Sequence, residues 1–389
     1  MMFAPTPELA NDLDRFRRLS LLAGAAALAL SALGFVLSPD QFFRSWLVAF
    51  VFWNGVALGS MAICMLHHMT GGAWGLVIRR ILEAASRTFP LTALLFLPLL
   101  AGIPKLYSWA QPGQELHEKA LYLNVPFFAG RAVFYFAAWI VLAWLLNKWS
   151  LAQDQAGAEP WHTRLQLLSG GGLLVYGFTV TFSSVDWVMS LDPHWFSTIY
   201  GILFMGGQGV AALGFVIAVV VLVARHKPLA GIITPKHLHD LGKLLFAFIM
   251  LWAYFAYSQF LITWSANLPE EIPWYIRRMQ GGWQWVAVAL LGFHFVLPFL
   301  LLLSRGAKQN YRVLLAVAVL IIVMRLVDLF WLAAPDFHQS GLQVHWLDLT
   351  VPIGAGGLWL WAFFTQLKNR PLVPVHDPML EEALAHGRH

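Results

Sequence analysis

Charge is scarce in this sequence. Of its 389 residues only 12% are charged, against 59% hydrophobic, whereas a soluble domain carries about 25% charged residues. So little charge cannot clothe a fully hydrated surface, and no stretch is long and polar enough to stand as a separate soluble domain. Cysteine is scarcer still, with Cys64 alone. One thiol cannot supply the roughly four ligands of an iron–sulfur cluster. There is no Cys-x-x-Cys-His run for attaching a c-type haem. Any redox centre beyond a small diffusible carrier must therefore belong to a partner.

What is abundant is apolar sequence. Runs of about the length needed to cross a bilayer recur along the chain, near 19–37, 46–69, 89–106, 126–146, 165–190, 196–224, 241–265, 282–304, 311–333 and 346–367. The expected fold class is an all-α integral membrane protein with about ten transmembrane helices, forming one membrane domain over 1–389. Lys and Arg set its orientation. Taken loop by loop, 18 of the 25 basic residues fall on one side and 5 on the other, with Arg131 and Arg325 inside spans. The richer side holds Arg15, Arg79, Lys236, Arg305, Lys368 and Arg388 and is expected to be cytoplasmic, with both termini on it. The net charge of +5 thus reflects topology, and no nucleic-acid partner is expected. The first span has the basic start of a signal peptide, but its apolar run is longer than an h-region, so a retained helix is expected.

An internal repeat runs through the middle of the chain. Pro39, Phe42, Trp46, Gly55, Val56 and Ala57 match Pro193, Phe196, Tyr200, Gly209, Val210 and Ala211 at a constant offset of 154. Val185-Asp186 closes the fifth span as Val327-Asp328 closes the ninth. The expected layout is an N-terminal segment with the first span (1–37) and a first four-helix bundle (38–190, spans 2–5). A parallel second bundle (191–333, spans 6–9) and the last span with its tail (334–389) follow. The first and last spans are peripheral.

Ionisable groups inside a bilayer are costly and tend to serve a function or a partner. Toward the outer side lie Arg131, Asp186, Arg325, Asp328, His345 and Asp348. Arg325 and Asp328, three apart, share a helix face and can neutralise each other. Asp186 has no basic residue within a turn and needs a partner from another helix, for which Arg131 is the candidate. Toward the inner side lie His67, His68, Glu83 and a stripe of His237, His239, Asp240 and Lys243. That stripe could pass protons, since imidazole titrates near neutrality, or could be an interfacial cluster among headgroups. His294 lies deeper, and with Tyr254, Tyr257, Ser258 and Gln259 it extends a polar line outward. Two histidines at matched depth on facing helices, as a bis-His haem b requires, are not evident, and no metal site is expected. Proton-pathway candidates are Asp186, Arg325, Asp328, His237, His239, Asp240 and His294; quinone-contact candidates are Arg131, Asp186 and Asp348. Two peripheral features also read out. Thr6-Pro7-Glu8 is a capped helix start. Residues 74–87 alternate as an amphipathic helix, or an extension of the third span, lying on the membrane or on a neighbour.

The chain resembles an NrfD-like membrane anchor (polysulfide reductase membrane subunit-like), and more narrowly the ActF-type subunit of bacterial alternative complex III. The likeness rests on the ten-span layout and on two long strings. One runs Phe182-Ser-Ser-Val-Asp-Trp-Val-Met-Ser-Leu-Asp-Pro-His-Trp195, and the other Tyr254-Phe-Ala-Tyr-Ser-Gln-Phe-Leu-Ile-Thr-Trp-Ser-Ala-Asn-Leu-Pro-Glu-Glu271. It implies a subunit of a respiratory quinol:cytochrome c, or quinol:terminal oxidase, oxidoreductase in a bacterial inner membrane. Implied partners are a paralogous NrfD-like subunit, periplasmic iron–sulfur and multihaem cytochrome c subunits that carry the clusters and haem c, a terminal oxidase, and lipids. Quinone or menaquinone is the implied diffusible carrier. The outer half of the second span shows Trp53 and Asn54 and no histidine to accept a quinol proton. The expected role is therefore auxiliary, with proton-conducting half-channels. The alternatives are the quinol-oxidising subunit itself or a secondary transporter, whose duplicated bundles would suit alternating access.

Overall fold

The computed structural model describes residues 5–113, 117–227, 229–381 and 385; Arg388 lies outside them. Its regular structure is helical, with no strand among the described residues. Ten helices are long and apolar enough to cross a membrane, and the chain is a multi-pass membrane protein. They are α1 Pro7–Leu37, α2 Pro39–Thr70, α3 Arg79–Ala101, α4 Val125–Ala156, α5 Trp161–Leu191, α6 Tyr200–Val223, α7 Pro235–Ala266, α8 Trp283–Leu303, α9 Tyr311–Asp336 and α10 Leu347–Lys368. The end at which α1 starts and α10 finishes is called here the terminal face, and the other the opposite face.

Local sequence explains where these helices start. The Thr6 hydroxyl accepts from the Leu9 N–H at 3.4 Å, as the Thr-Pro-Glu start predicts. Asn124 caps α4 through the Phe127 N–H at 3.0 Å, and Asn310 caps α9 through the Arg312 N–H at 2.9 Å. Proline occupies the first turn of α1, α2, α4 and α7, where its missing N–H leaves no bond unmade.

At the centre, α2 packs on α6, and the protein itself encloses 89% and 94% of their apolar windows. Around them, α3, α5 and α10 pack on α2, while α5, α7 and α9 pack on α6. Lipid tails give no hydrophobic drive between helices, so close backbone approach has to supply it. Glycine does so twice. A Cβ on Gly59 would stand 2.2 Å from the Gln208 carbonyl oxygen, so α2 and α6 touch at backbone distance. A Cβ on Gly357 would fall 2.3 Å from Gly24 Cα, which is where α1 lies against α10.

Two segments depart from the expected picture. Residues Arg79–Ser86 form a helix whose eight residues are all buried, so the 74–87 segment is an extension of the third span and not a strip on the membrane surface. Amphipathic spacing is the same whether the polar face meets water or an internal set of partners, and here it meets partners. In α8, residues Leu290–Val296 adopt π-helical geometry, a widening frequent at functional positions.

Candidate functional site

The most unusual polar arrangement lies among α6, α7, α8 and α9. Arg325 and Asp328 on α9 are both buried and form an ion pair across one turn. The Trp252 indole N–H on α7 donates to the same Asp328 oxygen, Oδ2, at 3.1 Å. The other side of Trp252 meets His294, ring centroids 4.0 Å apart, in the π-helical stretch of α8. His294 is fully buried, and neither ring nitrogen has a hydrogen-bond partner among the described residues. The same holds for both amide atoms of Gln259, two turns along α7 from Trp252. Buried polar groups are nearly always satisfied, so orphans gathered beside an ion pair call for an explanation. On α6, Gly207 makes room for the arginine, since a Cβ there would stand 2.1 Å from Arg325 Cζ.

The other aspartate is held differently. Asp186 on α5 takes Arg131 of α4 in a two-pronged bond, Nε to Oδ2 at 2.9 Å and Nη2 to Oδ1 at 2.8 Å. Tyr135 adds an O–H bond of 2.7 Å to Oδ2. Arg131 also stacks on Tyr122 at 3.8 Å and donates to its carbonyl at 3.0 Å. Burial and the nearby Asp186 charge push the Tyr122 phenol pKa above its ordinary value. The partner expected from the sequence is thus the one present, and both carboxylate oxygens are occupied.

The remaining sequence candidates fall elsewhere. His237 is a capping residue at the start of α7, its Nδ1 lying 2.9 Å from the Thr234 hydroxyl. Asp240 pairs with Lys243 at 3.1 Å, and His239 is partly exposed one turn away. Fifteen residues separate His237 from Trp252, roughly 22 Å along the helix, so this stripe does not join His294. Tyr254 and Tyr257 are 63% and 61% exposed on the outside of α7, so the polar line from His294 runs through Trp252 and not through them. Asp348 opens α10, accepting from Ser45 at 2.6 Å, Gln41 at 2.9 Å and the His345 N–H at 2.9 Å. The gap beside it, lined by Arg44, Phe337 and His338, is about 10 Å³. Ligand pockets run to hundreds of cubic ångströms, so a quinone ring does not fit there. His67 meets the Gly72 carbonyl at 3.1 Å and His68 the Ser169 hydroxyl at 3.0 Å, both within hydrogen-bond reach near the terminal face. Among the described residues no three His, Cys, Asp or Glu side chains gather as a metal site.

The spacing of four pairs Arg79 with Glu83 in the sequence, and the structure has that pair, but sequence reasoning missed the rest of its cluster and a second one. At the terminal face, Arg79 bonds Glu83 at 3.0 Å, Ser150 at 2.9 Å and Asp377 at 2.5 Å. Arg80 bonds Glu83 at 2.6 Å and pairs with Asp154. The segment after α10 is tied down by this cluster, with Leu372 and Val373 buried. At the opposite face, Arg278 lies 3.5 Å over Trp274 and donates to Asp336 at 2.8 Å; Trp274 stacks on Trp195. The Arg277-Arg278 doublet was the only local signal, since Asp336 lies 58 residues from Arg278 and Asp192, which pairs with Arg277, lies 85 residues from it. No protein-family model matches the chain, and no curated protein matches it.

Proposed function

We propose that the chain is an auxiliary membrane subunit of a respiratory quinol:cytochrome c, or quinol:terminal oxidase, oxidoreductase complex, of the NrfD-like kind found as the ActF-type subunit of alternative complex III. In this reading it sits in a bacterial inner membrane with both termini cytoplasmic. The 18-to-5 distribution of basic residues supports that orientation. The chain handles protons in a polar half-channel, while clusters, haem c and quinol chemistry belong to neighbours. The observation that carries it is the buried Arg325–Asp328 pair joined through Trp252 to His294. A buried ion pair and a buried imidazole between membrane helices are titratable groups of the kind that line proton paths. The tight gap at Asp348 and the saturated Asp186 favour this role over quinol oxidation by the chain itself.

The decisive experiment is purification of the tagged chain from its native membrane in mild detergent, read by haem c absorbance and mass spectrometry. Co-purification with c-type cytochrome and iron–sulfur subunits is the expected result. A chain that purifies alone, folded and without those partners, overturns the assignment. If the chain itself oxidised quinol at Asp186, D186N would abolish quinol:cytochrome c activity of the complex; unchanged activity rules that version out.

A further inference from the structure

A cleft of about 430 Å³ opens between α3, α4 and α10 near the terminal face. Its lining is sorted by chemistry. Arg87, Lys148 and Arg370 bring three cations, while Phe89, Ile140 and Trp144 form part of an apolar wall. No carboxylate is among the residues that line it.

The cations are under-compensated. Arg87 gives Nη2 to the Gln366 carbonyl at 2.6 Å, but its Nε is buried with no partner among the described residues. Arg370 donates to Asn147 Oδ1 at 2.9 Å, and its nearest carboxylate, Glu83 at 3.9 Å, is already shared by Arg79 and Arg80. Burial holds the Arg370 pKa below the ordinary guanidinium range. Lys148 lies 4.6 Å over the Trp144 ring and makes no ion pair among the described residues.

Depth matters as much as charge. Arg370 lies two residues beyond the last residue of α10, and Arg87 sits at the break between the two helical pieces of α3. Ile140 is eight residues from Lys148 along α4, roughly 12 Å further into the membrane. The cleft is therefore basic at the headgroup level and apolar below it. Basic pockets between membrane helices on such a face are suited to lipid headgroups.

We propose that this cleft binds one anionic phospholipid, its phosphate held by Arg87, Lys148 and Arg370 and an acyl chain lying along Phe89, Ile140 and Trp144. The inference rests on the membrane fold alone and not on the respiratory assignment. The full-length protein, delipidated in detergent, is titrated with phosphatidylglycerol or phosphatidylcholine of identical acyl chains and read by native mass spectrometry. One phosphatidylglycerol is expected to survive activation that strips phosphatidylcholine. K148Q should weaken it roughly fivefold, and K148E further. Lys148 is exposed, so both variants should keep the parent melting temperature. Excess inorganic phosphate should leave the lipid bound, because the acyl chain contributes; displacement would make the cleft a simple anion site and overturn the proposal. Equal retention of the two lipids, or K148E binding phosphatidylglycerol as the parent does, would also overturn it.

Discussion

Two buried aspartate–arginine pairs, Asp186–Arg131 in the first half of the chain and Asp328–Arg325 in the second, are built to different ends. Asp186 and its arginine come from neighbouring helices, meet in two parallel bonds and are finished by Tyr135. Every acceptor is used, and Arg131 is 11% exposed close to the opposite face. That is the geometry of a staple between α4 and α5. Arg325 and Asp328 come from one helix, so their pairing ties no helices together. Across helices Asp328 accepts from an indole N–H that meets an unbonded histidine, and Arg325 lies 5.7 Å over the Phe204 ring of α6. A pair that adds little to assembly, yet sits among orphaned polar groups, is better explained by proton handling than by packing. The matching acids that close spans five and nine therefore do not imply matching roles.

Variants of the two pairs can break this contrast, and the largest effect should come from isolating a charge. R325M leaves Asp328 buried without a cation, a loss of about 3–5 kcal/mol, read as the yield and melting temperature of monodisperse protein. The double variant R325M/D328N should recover most of it. If R325M melts with the parent, the pair contributes nothing and the contrast fails. Steric pressure is a gentler probe of the same seat. G207A puts a methyl where the guanidinium lies and should cost about 1–3 kcal/mol, in the range for overpacked cores. The matched neutral variants then separate roles. D186N should lower the melting temperature, by about 1–3 kcal/mol of stability, while leaving quinol-driven proton uptake into liposomes containing the whole complex unchanged. D328N should abolish that uptake, measured with an internal pH dye. The reverse outcome would exchange staple and channel.

The difference between the pairs was only half legible in the sequence. Apolar runs place ten helices because bilayer thickness sets their length, and α8, α9 and α10 fall within a few residues of the expected bounds. Arg131 could be matched to Asp186 by elimination, because few basic residues lie at that depth. Trp252 could not be foreseen as a partner of Asp328, since a tryptophan in a membrane helix is ordinarily packing and 76 residues separate the two. The π-helical widening that seats His294 leaves no mark in composition. Arg79 and Arg80 read as part of a surface strip because two of their acids lie far along the chain, Asp377 298 residues from Arg79 and Asp154 74 residues from Arg80. Patterns within one helix were readable, and contacts between helices mostly were not.

The smallest expected effect is also the most discriminating. Y135F and W252F each delete one neutral donor from a carboxylate and keep an aromatic ring in place. Each bond is worth about 1 kcal/mol net, so the melting temperatures should fall slightly and by similar amounts. Their consequences for protons should differ. Without the Tyr135 hydroxyl, Asp186 still holds both prongs of Arg131 and its surroundings are unchanged. Without the indole N–H, Asp328 loses the hydrogen bond it accepts from α7 and is held by Arg325 alone among the described residues. W252F should therefore slow proton uptake at nearly unchanged stability, while Y135F leaves the rate alone. Equal rates in the two variants would make the second pair as structural as the first.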